Sequence, residues 1–284
     1  MLCYSSQLAH GKKANELVDD ARLASVAQTT YTYDWVGNRA YPGGQEYNAA
    51  DQITASSGHT YDYYATGSLH NKYNQSGLVE VNTYTYTPAN LLSSVTNSPF
   101  GTTSMTWDAD NNRVSFTSSA GTTYDYVHDI TAGIPAVINE IGPSTSVFYI
   151  REPDGSLIAR LDLGILSYYH FDALGSTRLI TDDSGEATDY YSYDAWGNVS
   201  HDTGSLSQPY QYVGQLGYYT HYQDVNLPLL QLGVRFYDPG LGRFGQRDPL
   251  PQYRRNTYGY GHDNPLSLRD LILPRFGGHP THAA

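Results

Sequence analysis

The chain has 284 residues and a net charge of −12, with 39% hydrophobic residues and only 15% charged ones. The acidic balance speaks against a nucleic-acid groove, which needs basic residues gathered on one face. No run approaches the roughly 18 apolar residues of a membrane-spanning helix, and the single cysteine, Cys3, excludes an intrachain disulfide. Tyrosine dominates the aromatics, 28 copies against 7 Phe and 3 Trp. Its ring packs well in strands while its hydroxyl finds a partner, so composition predicts a large all-β protein.

Taken in order, the opening MLCYSSQLAHGKKANELVDD has no apolar stretch of signal-peptide type. Asn15 to Ala27 (NELVDDARLASVA) has helical spacing and predicts a short capping or frayed helix, so residues 1–28 form a cap. From residue 29 a repeat takes over. Its clean copies are YDWVGNR at Tyr33, FDALGST at Phe171 and YDAWGNV at Tyr193. Looser ones begin at Tyr47, Tyr63, Tyr86, Trp107 and Arg151, giving spacings of 14, 16, 23, 21, 44, 20 and 22 residues. The gap of 44 has room for one degenerate copy near Tyr126.

One unit is physically legible. An alternating run such as Thr29 to Asp34 puts Tyr on one face and Thr on the other, the period of a strand. Asp34 can then bond to backbone two residues on, and Gly37 supplies positive φ at no steric cost. A second strand leaves. Each hairpin buries its aromatic face only against its neighbours, so the units stack into a sheet that wraps or spirals.

Residues Arg235 to Ala284 carry seven Arg and four Asp, +3, which leaves −15 on the first 234. The C-terminal fifth is therefore an electrostatic partner for the acidic body. Within it, Gly240, Gly242 and Gly245 fit G-x-G-x-x-G, but Pro249 and Pro251 forbid the helix that a dinucleotide site requires. Asp108 to Arg113 (DADNNR) begins like a calcium loop, yet its sixth position is Arg113 and its twelfth Ser119. No metal site and no cofactor is called for.

The units resemble the tyrosine-aspartate (YD) repeats of the Rhs and teneurin-like superfamily. The run from Tyr168 to Pro265, with RFYDPGLGRFGQRDPL and then DNPLSL, resembles the Rhs-repeat-associated core domain. The resemblance implies a spiralling antiparallel β-shell, hollow in that family, built by residues 29–167. It implies a core-domain plug at 168–270 and a short tail at 271–284. It also implies an extracellular or cell-surface setting, and as partners other copies of the chain in a homo-oligomer or filament, or the remainder of a larger Rhs-type protein.

In many such proteins the core is an aspartic-type autoprotease that cuts the chain once. On that resemblance Arg247-Asp248 matches the R-D-P position of an Arg and a catalytic Asp. Asp263 is the nearest candidate for the second carboxylate, and the cut would fall near Asp270. Asp238, with Pro239 after it and Gly242 beyond, reads as a structural turn. The Pro and Gly expected after Asp270 are missing, and the 14 residues beyond it imply release of a short peptide only. The expectation is a structural shell for encapsulation, display or self-assembly, with Arg247 and Asp248 as a buried ion pair seating the plug. Self-cleavage and an adhesin or glycan-binding module are the alternatives.

Overall fold

The computed structural model describes residues 25–26, 29–41, 44–74, 79–131, 135–249 and 256–270. Sixteen strands, from Glu46–Tyr47 to Val199–Thr203, form one antiparallel sheet in which every strand pairs with its neighbours in sequence. A four-stranded sheet follows, Tyr219–Thr220, Leu230–Leu232, Arg235–Asp238 and Arg243–Phe244, and two small hairpins precede the large sheet. The only helical elements among the described residues are the 3-10 turns Gly214–Leu216 and Gly261–Asp263. The protein is all-β.

One hairpin design recurs ten times, beginning at Asp34, Asn48, Tyr64, Thr87, Asp108, Ser118, Glu152, Asp172, Asp182 and Asp194. In each, the N–H of the first residue donates to the carbonyl four residues on, and the N–H of the fourth donates back to the carbonyl of the first. The fourth residue has positive φ in every copy; it is Gly in seven, and Asp51, Asn90 and Asn111 in the others. This is a tight turn with a left-handed bulge, a common way to link strands through three residues.

The aspartate of the repeat earns its place here. Asp34 Oδ1 accepts the N–H groups of Val36, Gly37 and Asn38 at 2.8–3.0 Å, and Asn38 Nδ2 donates to Asp34 Oδ2 at 3.0 Å. Asp108–Asn112 and Asp194–Asn198 repeat the arrangement, so the DADNNR carboxylate is occupied by its own turn. The degenerate copy is also a hairpin, Thr123–Asp129 against Ala136–Ile141, with a different connection.

The small hairpin that precedes the sheet packs on the turn before the sheet's last strand. The Arg39 guanidinium lies 4.8 Å from the Trp196 ring, and Tyr31 meets the same ring edge-on at 6.0 Å. The large sheet's concave face packs around the chain's own later segment: Ile53, Tyr84, Phe116, Tyr149 and Ile180 share one core with Tyr210, Tyr219, Leu229 and Phe236. The resemblance implied a hollow shell; this wall is filled by residues from 206 onward. The large sheet runs through residue 168, so the first part of the 168–270 segment is wall and the rest is plug.

The N-terminal cap differs from expectation at its end. Ser25–Val26 is a strand paired with Thr29–Thr30, because β-branched residues on both sides favour a hairpin over a helix. The rest of the expected helix and the tail at 271–284 lie outside the described residues.

Candidate functional site

The plug is tied to the turns along one rim of the wall. Leu69 N–H donates to the Gly245 carbonyl at 2.8 Å, Thr177 N–H to Gln211 at 2.9 Å and Gln215 N–H to Gly175 at 3.0 Å. Tyr258 Oη donates to the Gly67 carbonyl at 2.6 Å, and Tyr237 Oη to that of Trp196 at 2.8 Å. Two buried carboxylates fasten it from within. Glu140 accepts from Tyr149 on the wall and from Tyr219, Tyr222 and Gln223 on the plug. Asp224, on the plug, accepts from the hydroxyls of Thr103 and Ser119 and from the Ser119 N–H.

Inside the plug, one arginine joins two aspartates that are far apart in sequence. Arg235 opens a strand between Leu230–Leu232 and Arg243–Phe244, which turns its side chain into the interior. Its guanidinium stacks 3.7 Å from the Phe244 ring centroid. Nη1 reaches Asp248 Oδ2 at 3.4 Å and Nη2 reaches Asp270 Oδ2 at 3.1 Å, and no side chain of the three is more than 4% exposed. Asp248 is held by its own N–H on the Thr257 carbonyl at 2.9 Å. Asp270 Oδ1 accepts the Gly261 N–H at 3.2 Å, and its carbonyl accepts Tyr218 Oη at 2.5 Å.

The other residues singled out in the sequence are dispersed around this clamp. Arg247 is exposed, and its aliphatic stem lies against Gly67 and beside Tyr258. The ion pair expected between Arg247 and Asp248 is made by Arg235 instead, with the Arg247 side chain turned outward. Asp263 ends the turn Gly261–Asp263 with φ 61°, its N–H on the Tyr260 carbonyl and its own carbonyl accepting Tyr33 Oη at 3.5 Å.

Asp238 and Gly242 form the hairpin joining two strands of the small sheet. Gly242 N–H donates to the Asp238 carbonyl at 2.8 Å and Leu241 N–H to its carboxylate at 3.1 Å. Gly242 has φ 70°, and a Cβ there would fall 2.9 Å from the Trp196 ring. Burial pushes the Asp238 carboxyl pKa up, against the pull of Lys72 and its backbone hydrogen bonds. Gly240 and Gly245 complete the G-x-G-x-x-G pattern on this hairpin and its exit, and among the described residues that follow the only helical element is the 3-10 turn Gly261–Asp263. Sequence reasoning missed Arg235 and Glu140; each stands in an ordinary strand pattern, and only the docking of plug on wall reveals its partners.

A curled meander of tyrosine-aspartate hairpins sealed by its own C-terminal segment defines the class as a YD shell. The model of the teneurin YD-shell family matches residues 13–266, and the chain belongs to that family. Among curated proteins it is similar to the tRNA3(Ser)-specific nuclease WapA of Bacillus spizizenii, 26% identical over 276 residues, covering 89% of this chain and 11% of that protein. It is also similar to double-stranded DNA deaminase toxin A of Burkholderia cenocepacia, 32% identical over 109 residues, covering 36% of this chain and 7% of that protein. Among solved structures, the Photorhabdus luminescens Tc holotoxin pore aligns with a TM-score of 0.54 at 14% identity, over 89% of this chain and 17% of that one. The TcdB2-TccC3 crystal structure aligns with a TM-score of 0.54 at 15% identity, over 86% and 16%. These structural likenesses concern the fold. The chain spans about a tenth of the length of the WapA protein it matches.

Proposed function

We propose that this chain is the closing portion of a YD shell: a structural wall and plug, without catalytic action on other molecules, serving encapsulation or display within a larger toxin-type protein. The observation that carries this reading is the sixteen-stranded wall whose concave face and rim are occupied by the chain's own residues 206–270. The edge strands Glu46–Tyr47 and Val199–Thr203 offer backbone groups to further strands of a longer protein or to a second copy. An extracellular or cell-surface setting accords with the toxins among its relatives. The purified chain is accordingly expected to leave tRNA uncut and double-stranded DNA undeaminated; either activity would overturn the structural reading.

A second reading rests on the clamp. Two aspartates on one buried arginine supply carboxylates for a single aspartic-type self-cleavage, with Asp248 and Asp270 as the pair, in place of Asp248 and Asp263. Intact-mass measurement decides it. Loss of a C-terminal peptide that disappears in Asp248→Asn establishes cleavage, and full length in both chains leaves the clamp as a structural tie.

A further inference from the structure

The outer face of the wall has two chemistries. Side chains alternate along a strand, so with Tyr84, Val95, Met105 and Phe116 in the core, their sequence neighbours point outward. In this half the outward positions are hydroxyl rows. Thr85, Ser94, Ser104, Thr117 and Thr123 stand opposite one another across five strands, and Thr83, Thr96 and Thr102 across three. Thr85 meets Ser94 at 2.7 Å, Thr96 meets Thr102 at 2.9 Å and Thr117 meets Thr123 at 2.9 Å.

The later strands are apolar at the equivalent positions. With Val147, Tyr149, Tyr169, Ile180 and Tyr191 in the core, the row Val127, Asn139, Phe148, Leu161 and Leu166 faces outward. Beside it run Ile150, Ala159, Tyr168 and Thr181, and then His170, Leu179 and Tyr190. None of these positions holds Lys, Arg, Asp or Glu, in a chain with 16 basic and 28 acidic residues. The neighbouring hydroxyl rows show that strand pairing in this wall does not require apolar groups on its outer face.

Val127, Ile141, Phe148, Ile150, Tyr168 and Tyr190 are each 36–50% exposed. At about 200 Å² for a large side chain, they leave on the order of 500 Å² of apolar surface on one side of the sheet. A patch of that size is among the largest that monomers carry and is often a binding site. Two of them face to face bury about 1,000 Å², the area at which specific association begins.

We propose that this face docks a second copy of the chain, the two walls meeting outer face to outer face about a two-fold axis near Phe148. Such an axis sets the patch against itself, so apolar groups meet apolar groups and no row buries a charge. A lipid surface fits less well. The rows offer no Lys or Arg to headgroups, and a net charge of −12 is repelled by anionic ones. The contact is made by side chains and is separate from backbone pairing at the edge strands Glu46–Tyr47 and Val199–Thr203. The exposed Asp125 borders the patch opposite Ile141, so its repulsion between copies is relieved by salt.

Sedimentation velocity of the full chain over a concentration series tests this. A monomer–dimer equilibrium in the micromolar range is expected, shifting toward dimer as sodium chloride is raised. The double variant Phe148→Thr, Ile150→Thr installs what the neighbouring strands already carry, and should raise the dissociation constant at least about tenfold. Radical footprinting of the unaltered chain gives a second readout that needs no variant: Phe148 and Tyr168 should become protected as concentration rises, while Trp35, on the turn after Asp34, stays reactive. A monomer at every concentration overturns the proposal. So does a dimer of unchanged affinity in the double variant, which places the contact elsewhere, or footprints that do not change with concentration. Co-sedimentation of a monomeric chain with phosphatidylcholine vesicles, lost in the double variant, would assign the face to lipid instead.

Discussion

Glu140 offers the sharpest test of how plug and wall are joined. It is 2% exposed and gathers four donors: the hydroxyls of Tyr149, Tyr219 and Tyr222 and Nε2 of Gln223. In Glu140→Leu the acceptor vanishes while the volume stays similar. Tyr219 Oη still reaches Tyr126 Oη at 3.2 Å, and Gln223 Nε2 keeps the same hydroxyl at 3.2 Å. Tyr149 and Tyr222 are left with no other acceptor among the described residues, though Tyr222 is half-buried and can turn toward water. One fully and one partly orphaned donor, at about 1–3 kcal/mol for a buried group, plus loss of the charge-assisted bonds, brings the cost to about 3–5 kcal/mol. Glu140→Gln keeps an oxygen in place and exchanges charged for neutral hydrogen bonds, so about 1–2 kcal/mol is expected. Denaturant midpoints give both numbers, and hydrogen exchange should show the losses concentrated at residues 219–223. If both variants lie within about 0.5 kcal/mol of wild type, the surface-mutation range, the carboxylate does not hold the plug.

Three further outcomes follow from the structure. Gly185 and Gly197 occupy the same turn position at φ 86° and 94°, but a Cβ meets nothing within 4 Å at Gly185 and the Tyr212 ring at 2.6 Å at Gly197. Gly185→Asn should therefore cost under about 1 kcal/mol, and Gly197→Asn clearly more, by the shift in thermal midpoint. Burial draws the Asp224 carboxyl up, but hydrogen bonds from Thr103, Ser119 and Asn226 outweigh it and hold the pKa below the ordinary range. A depressed folded pKa gives stability that is present above the unfolded value of about 3.9 and lost as pH falls through the folded one. The penalty of Asp224→Asn, measured by denaturation, should accordingly shrink in acid. His128 is held down to about 4 by burial and Arg113, and His221 is lowered by burial in the same direction. Both resist protonation when folded, so stability should fall as pH drops from about 6.5 toward 4, by at most about 3 kcal/mol for His128. His128→Gln should flatten that slope; an unchanged pH profile counts against the burial argument.

Much of the wall was legible because its physics is local. Asp34, Asp172 and Asp194 reach their own backbone two and four residues on, and the glycine after each sits where positive φ is required. That signal survives in sequence even where one member is replaced, as at Tyr64, where Gly67 alone marks the turn. The same turn at Ser118 and Asp182 escaped notice because no aromatic precedes it; Thr117 and Thr181 stand there. The clamp was less legible. Arg235 meets Asp270 across 35 residues of irregular chain, a pairing with no period to betray it. The adjacent Arg247 drew attention by its position next to Asp248 and points elsewhere.

The central claim is that residues 206–270 are the plug of a wall formed by the strands before them. The segment Thr203 to Ser205 is exposed and joins the two, so a protease recognition sequence inserted after Ser205 permits a single nick in the folded chain. Size-exclusion chromatography of the nicked protein should show both fragments co-eluting in native buffer and separating only in denaturant. Separation in native buffer, with the wall fragment still folded and monomeric, would contradict the account.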